Sequence, residues 1–229
     1  MILPNNKIFS RLINLRSSPD RLERAQQTLA AAGLSVERFD AVDGRSADLT
    51  THPDYDPDMA IARYGRHLSS GEVACYLSHK ACLQAFFDSG APYGLILEDD
   101  LSLPPDFAGF LDQCVTWLDT HHRGRWDILN MCQRGDKVAT SLTSFQTDEG
   151  EIHLLASFFF PLNSTGCLWS REGAERFLKD GSTIFAPVDQ FVKMWCIESG
   201  RGLALDRPVV NTFETPSTID YSVQDAYLA

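Results

Sequence analysis

The chain has 229 residues, with 44% hydrophobic and 22% charged residues, enough to bury one large α/β core or a core plus a small lobe. A net charge of −11 disfavours polyanionic partners such as nucleic acid, and simple electrostatic attachment to anionic membranes; Arg16, Arg21 and Arg24 are an example of where a local basic patch can still form. The opening residues contain no signal-peptide core, and the longest apolar run, Phe158-Phe159-Phe160, is closed by Pro161, so no membrane span is expected.

In chain order, Ile8 to Leu15 reads as a first strand. A helix follows, with a serine cap in Ser17-Ser18, Pro19 in its first turn, an early Asp20, and an apolar stripe of Leu22, Ala25, Leu29 and Ala32 ended by Gly33. Val36 to Val42 reads as a second strand before an Asp43-Gly44 turn. This β-α-β opening predicts a largely parallel sheet. Residues 45–67 are polar and broken by Pro53 and Pro57, an irregular insertion with a short helix at Met59–Ala62. Ser69 and Glu72 have capping-box spacing and start a helix that runs through Phe87 to a stop at Ser89-Gly90.

The aliphatic run Gly94-Leu95-Ile96-Leu97 reads as a buried strand, and it ends in three acids, Glu98-Asp99-Asp100. Alternation puts Glu98 and Asp100 on one side and Asp99 on the other. Two carboxylates about 6–7 Å apart repel by roughly 2–3 kcal/mol at an effective dielectric near 20, a cost that a divalent cation turns into binding. Oxygen ligands at a strand's carboxyl end suit Mn²⁺ or Mg²⁺ shared with substrate phosphates; a solvated turn is the plain alternative.

Beyond the triplet, a helix is expected from Pro105 to Leu118 and a strand over Trp126–Met131. A hairpin spans Val138 to Phe160 around Asp148-Glu149-Gly150, and a short strand covers Cys167–Ser170. Helices at Arg171–Leu178 and Val188–Ser199 precede a last strand at Leu203–Leu205, with the final dozen residues poorly packed. Six cysteines without CxxC or zinc spacing read as buried free thiols of a reducing compartment. No P-loop and no GxGxxG follow the first strand, so a bound nucleotide needs another neutraliser for its phosphates.

Five blocks in order carry a resemblance: Ile13-Asn14-Leu15-Arg16-Ser17-Ser18-Pro19-Asp20-Arg21, Phe39 to Gly44, Leu68 to His79, Ile96 to Asp100, and Gly166–Arg171 ahead of Pro187–Phe191. Together they resemble glycosyltransferase family 25, which includes lipooligosaccharide galactosyltransferases and collagen hydroxylysine galactosyltransferases. The resemblance implies an α/β, GT-A-type fold: a mostly parallel central sheet flanked by helices, with a small antiparallel portion. It implies one catalytic domain over residues 1–229, with residues 1–105 holding the nucleotide-sugar and 106–229 the acceptor. It also implies an inverting, metal-dependent transfer of a hexose, galactose first, from a UDP-sugar to a glycan or glycolipid hydroxyl. The setting would be lipooligosaccharide or surface-glycan synthesis, in the cytoplasm or peripheral on the inner membrane.

By the same resemblance, the donor set is Asn14, Leu15, Arg21, Ala41, Asp43, Ser78, His79, Glu98 and Asp99, with metal on Glu98 and Asp100. Ser164, Thr165, Gly166 and Gln190 form the acceptor set. Asp189 is the general base, at a helix start expected to lower its pKa, with Asp99 and Glu214 as substitutes. Each has a plainer reading: Arg21 as a surface arginine beside Asp20, Asp43 as a turn residue, His79 as a structural histidine, Asp189 as a helix cap. One departure is the missing late histidine ligand, since the last histidine is His153. Ser217-Thr218-Ile219-Asp220 only loosely matches the family's tail. A sugar-nucleotide nucleotidyltransferase, disfavoured by the lack of glycine in residues 8–24, and a non-catalytic sugar-binding module are the alternatives.

Overall fold

The computed structural model describes residues 7–213. An eight-stranded sheet has the order β2-β1-β3-β8-β5-β9-β7-β6. The strands are β1 (Ile8–Asn14), β2 (Glu37–Asp40), β3 (Tyr93–Glu98), β5 (Ile128–Arg134), β6 (Ala139–Thr147), β7 (Gly150–Ser157), β8 (Gly166–Ser170) and β9 (Gly202–Leu205). A two-stranded sheet pairs β4 (Leu101–Ser102) with β10 (Asn211–Thr212), a strand beyond the expected last one. β1, β2 and β3 are parallel, and β5 is parallel to β9; only β8 and β7 run against the other six strands of the large sheet. The mostly parallel α/β architecture is therefore present. Its antiparallel portion reaches the centre, because β8 is wedged between β3 and β5.

Helices cover both faces. On one side lie α1 (Pro19–Ala31) and α4 (Phe107–His121), burying Leu29, Phe107, Phe110 and Leu111 against Leu12, Leu95 and Leu97. On the other lie α3 (Ser70–Ser89), α5 (Arg171–Asp180) and α6 (Val188–Ser199), burying Tyr76, Phe86, Phe177 and Phe191 against Ile96, Ile128 and Trp169. β3 thus alternates Leu95 and Leu97 to the first face and Ile96 to the second. Its parity dictates where the acids go.

Ser69 caps α3 with the full capping box: its side chain accepts from Glu72, whose carboxylate takes the Ser69 N–H at 2.9 Å. At α1 the expected serine cap is Ser18, but its hydroxyl makes no capping bond; Pro19 at the first turn carries the start. The insertion holds the short helix α2 (Pro57–Met59), which continues as a π-helical turn over Ala60–Tyr64. All six cysteines are free and five are buried. Among the described residues no helix is long and apolar enough to cross a membrane.

One buried charge locks the back of the sheet. Asp127, fully buried, receives Arg176 (Nε at 3.2 Å, with Nη2 closer still) and Arg201 Nε at 2.9 Å. Asp127→Ala leaves two half-buried guanidiniums without their carboxylate. We expect a loss of about 2–4 kcal/mol in urea unfolding, at the lower end of values for broken buried pairs because both arginines reach water.

Candidate active site

The carboxyl ends of β1, β2 and β3 open into a cleft of about 850 Å³ against the first turns of α3. Asn14, Leu15, Arg21, Ala41, Asp43, Ser78, His79, Glu98 and Asp99, the whole expected donor set, line it. This is where an open α/β sheet gathers its ligands.

Its floor is a polar lattice. Asp99, buried at the turn after β3, has the parity of Leu97 and faces α1. Its Oδ1 accepts Arg21 Nε at 2.8 Å and its Oδ2 accepts Asn14 Nδ2 at 2.6 Å. Asn14 Oδ1 in turn accepts Arg38 Nε at 2.8 Å. So Arg21, expected near a phosphate, has its charge met first by Asp99, with Asp100 second at 3.6 Å. Asp99, named as a substitute base, has both oxygens occupied. Glu214, the other substitute, and the 217–220 tail lie outside the described residues.

The rim is built by the turn after β2. The Val42 N–H donates to buried Ser78 Oγ at 2.9 Å, tying this turn to α3. Asp43 is gripped by Arg45 (Nε at 2.8 Å, Nη2 at 2.7 Å), whose hydrogen bonds hold its carboxyl down at about 2. Arg45 also donates to Ser17 Oγ at 2.6 Å, and sequence reasoning missed it. A Cβ on Gly44 would lie 2.5 Å from the Ser70 carbonyl oxygen. Gly44→Ala therefore pushes the turn off α3. We expect about 1–3 kcal/mol lost in thermal unfolding and weaker nucleotide binding in calorimetry.

A second cavity, about 430 Å³, adjoins the first, and Glu98 and Cys75 line both. Glu98, with the parity of Ile96, faces α3. Its Oε1 lies 3.0 Å from His79 Nε2 and accepts Ser164 Oγ at 2.6 Å. Burial pushes the Glu98 carboxyl up, but hydrogen bonds from His79 and Ser164 outweigh it, and the net direction is down. Asp100 lines the second cavity on the same side; burial, then the Glu98 charge, raises its carboxyl to about 6.

Among the described residues no group of three or more His, Cys, Asp and Glu forms a closed metal cage. Two adjoining carboxylates, one raised by the other's charge, still fit a hard divalent cation that takes its remaining ligands from a diphosphate and water. His153, on β7, lines neither cavity and pairs loosely with Glu151.

Asp189, in the first turn of α6, lines the second cavity together with this pair. Its Oδ1 accepts the Gln190 N–H at 2.8 Å, and the Asn163 backbone also donates to it. The expected lowering of its pKa does not occur. Burial, reinforced by the Glu98 charge, outweighs the backbone hydrogen bonds and raises it. Asn163 stands at φ 77°, a left-handed conformation that asparagine tolerates; its carbonyl accepts buried Asn130 Nδ2 at 2.7 Å.

Of the acceptor set, Ser164 and Gln190 line this cavity. Thr165 does not, although its Oγ1 lies 3.4 Å from Asp100 Oδ1, and Gly166 sits at the start of β8 against Val210. Sequence reasoning also missed Tyr64 and Arg66, which line the cavity from the π-helical turn and the residues after it. Arg66 pairs bidentately with Glu72 at 2.6 and 2.9 Å. Glu72 was legible as a cap; its second partner was not.

Residues 7–192 match the model of glycosyltransferase family 25, described as an LPS biosynthesis protein family. A Bos taurus relative, "probable inactive glycosyltransferase 25 family member 3", is 32% identical over 122 residues, covering 52% of this chain and 20% of the relative. Danio rerio procollagen galactosyltransferase 1 is 26% identical over 186 residues, covering 79% of this chain. The matched stretch is 30% of that relative's own length, so the chain corresponds to less than a third of either protein. Among solved structures, S. aureus TarS 1-349 in complex with UDP-GlcNAc aligns with a TM-score of 0.48 and 14% identity, over 93% of this chain and 60% of that one. A glycosyltransferase involved in glycosylation of the major capsid of PBCV-1 aligns with a TM-score of 0.47 and 7% identity, over 92% and 94%. On the family match, which spans most of its length, the chain belongs to glycosyltransferase family 25.

Proposed function

We propose that the chain is an inverting, metal-dependent glycosyltransferase that moves a hexose from a UDP-sugar to a hydroxyl of a glycan acceptor. The observation that carries the reading is the meeting of two cavities at Glu98: one lined by the whole donor set, the other by Asp189 and Asp100. The nucleoside lies in the larger cleft against Leu15, Ala41 and the Ser78-anchored turn. The diphosphate reaches Glu98 and Asp100, which would hold a divalent ion; such an ion, when bound, would supply stabilisation of the charge on departing UDP.

Asp189 takes the proton of the acceptor hydroxyl while that oxygen attacks the face of the sugar opposite UDP. A raised pKa suits a base that works near neutral pH, and the Gln190 and Asn163 N–H groups hold its carboxylate in place. His79 and Ser164 fix Glu98 so that its position does not depend on the ligand. The first half of the chain thereby serves the donor, while the acceptor side draws Ser164 and Gln190 from the second half and Tyr64 and Arg66 from the first.

Galactose as the sugar is supported by the Danio rerio relative's name, and lipopolysaccharide or surface-glycan synthesis by the family's description. Cytoplasmic work on a glycolipid at the inner membrane follows from that role. The non-catalytic reading draws on the Bos taurus relative, named probable inactive; the assembled Glu98, Asp100 and Asp189 weigh against it here.

The test is product analysis with UDP-galactose, Mn²⁺ and a panel of glycan acceptors, with the new anomeric configuration read by NMR. A β-linked product from the α-linked donor is expected. A retained α-linkage, or a product carrying a nucleotide, overturns the proposal.

A further inference from the structure

Among the described residues six large hydrophobic side chains are exposed; three of them, Val138, Phe158 and Phe159, lie at one place, and a fourth, Ile197, is on α6, whose Lys193 reaches the Phe159 ring. The three stand at the open end of the β6–β7 hairpin, where the Phe158 N–H donates to the Val138 carbonyl at 2.8 Å. Phe158 also reaches the end of α6, about 4.0 Å from where a Cβ on Gly200 would stand. Two ammonium groups cover one ring of this patch: Lys193 Nζ is 4.6 Å and Lys137 Nζ 5.0 Å from the Phe159 centroid. Two acids adjacent to it in sequence are engaged elsewhere, Asp136 by Arg134 and Glu198 by Arg63. A chain of net charge −11 therefore presents here an apolar surface crowned by cations.

The patch is continuous with the second cavity by two routes. Asp189, Lys193 and Ile197 stand at i, i+4 and i+8 on α6, one face of a helix, roughly 6 Å apart along its axis. The chain from Phe158 to Phe160 runs through Pro161 directly into Leu162, Asn163 and Ser164, which line the cavity.

We propose that this patch is a docking platform for an anionic lipid surface, which brings a lipid-linked acceptor to Asp189. Exposed phenylalanines suit the headgroup–acyl boundary. Lysines whose ammonium groups sit over the Phe159 ring bring positive charge to anionic headgroups at the same place. The benefit of docking beside Asp189 rests on the transferase reading; the binding itself does not.

The experiment is co-sedimentation with vesicles of equal parts phosphatidylcholine and phosphatidylglycerol, or of phosphatidylcholine alone. The protein is expected to sediment with the anionic vesicles, to be released by salt, and to leave neutral vesicles in the supernatant. Lys193→Glu and Phe159→Ser should each weaken binding by about tenfold. Mn²⁺-dependent UDP affinity, read by calorimetry, should be unchanged in both variants and so report an intact fold. The platform is overturned by failure to bind anionic vesicles, by equal binding to neutral ones, or by variants that bind as well as the parent. Concentration-dependent dimerisation abolished by Phe159→Ser would also overturn it, because a second copy then covers the patch. Vesicle binding of the expected kind without any sugar transfer overturns the transferase reading and leaves the platform standing.

Discussion

Asp189→Asn should lower turnover by about 10²–10⁴-fold, the usual worth of a positioned general base, or roughly 3–5 kcal/mol in the barrier. Asparagine keeps the shape and still accepts the Gln190 N–H, so the start of α6 and the wall of the second cavity stay in place. UDP affinity in the presence of Mn²⁺ should change by less than about twofold, because Asp189 lines the smaller cavity and not the donor cleft.

The pH profile is a separate readout. Burial raises the Asp189 pKa, so the acid limb of the parent's rate profile should lie above the ordinary carboxylate range. In the asparagine variant that limb should vanish. Stopped assays of UDP release across pH check both points, and a variant with parental turnover removes Asp189 from the chemistry.

Asp100→Asn should separate stability from function. Burial and the Glu98 charge raise the Asp100 carboxyl from 3.8 to about 6 in the folded chain. A carboxyl raised on folding favours the native state only while protonated. That contribution is complete below about pH 4 and is lost as pH rises through 6. At neutral pH the native chain therefore carries a strained charge.

Asparagine removes the charge and can still accept from Thr165, which lies 3.4 Å away. The shift corresponds to about 3 kcal/mol, and with a quarter of the side chain open to water we expect a gain of about 1–2 kcal/mol at pH 7. The gain should shrink towards zero below pH 4. The same substitution removes one of two carboxylates facing the diphosphate, so Mn²⁺-dependent UDP affinity should fall by more than about 100-fold. Urea unfolding at two pH values and calorimetry check the two halves. A variant that loses stability, or binds UDP and Mn²⁺ like the parent, contradicts the role given to the triplet.

What the sequence made legible was local or periodic. The capping box at Ser69 and Glu72, the proline at the start of α1 and the Val188–Ser199 helix depend on neighbours within a few residues, and all three stand. Strand alternation carried past the end of β3: Glu98 and Asp100 share one cavity while Asp99 turns to α1.

What remained hidden is long-range. Nothing near Gly166–Ser170 says that this strand inserts antiparallel beside β3, since register is settled by packing on both faces. Asp99 meets Arg21 across 78 residues of sequence, so a residue read as a phosphate ligand also works as a brace. Asp189 is the sharpest case. A helix start is visible in sequence and favours its charge, but the burial and the Glu98 field that reverse the sign exist only in the folded chain. Asn163, held left-handed by Asn130 from 33 residues away, gave no signal beyond being an asparagine.

The central claim is that the acidic end of β3 anchors a UDP-sugar through a divalent ion. The most direct measurement is UDP release from UDP-galactose and UDP-glucose by the parent protein, with Mn²⁺ and after chelation. The account predicts release with at least one donor, dependent on metal and lost in Asp100→Asn. Release that persists without metal, or no binding of either donor with Mn²⁺ present, would contradict it.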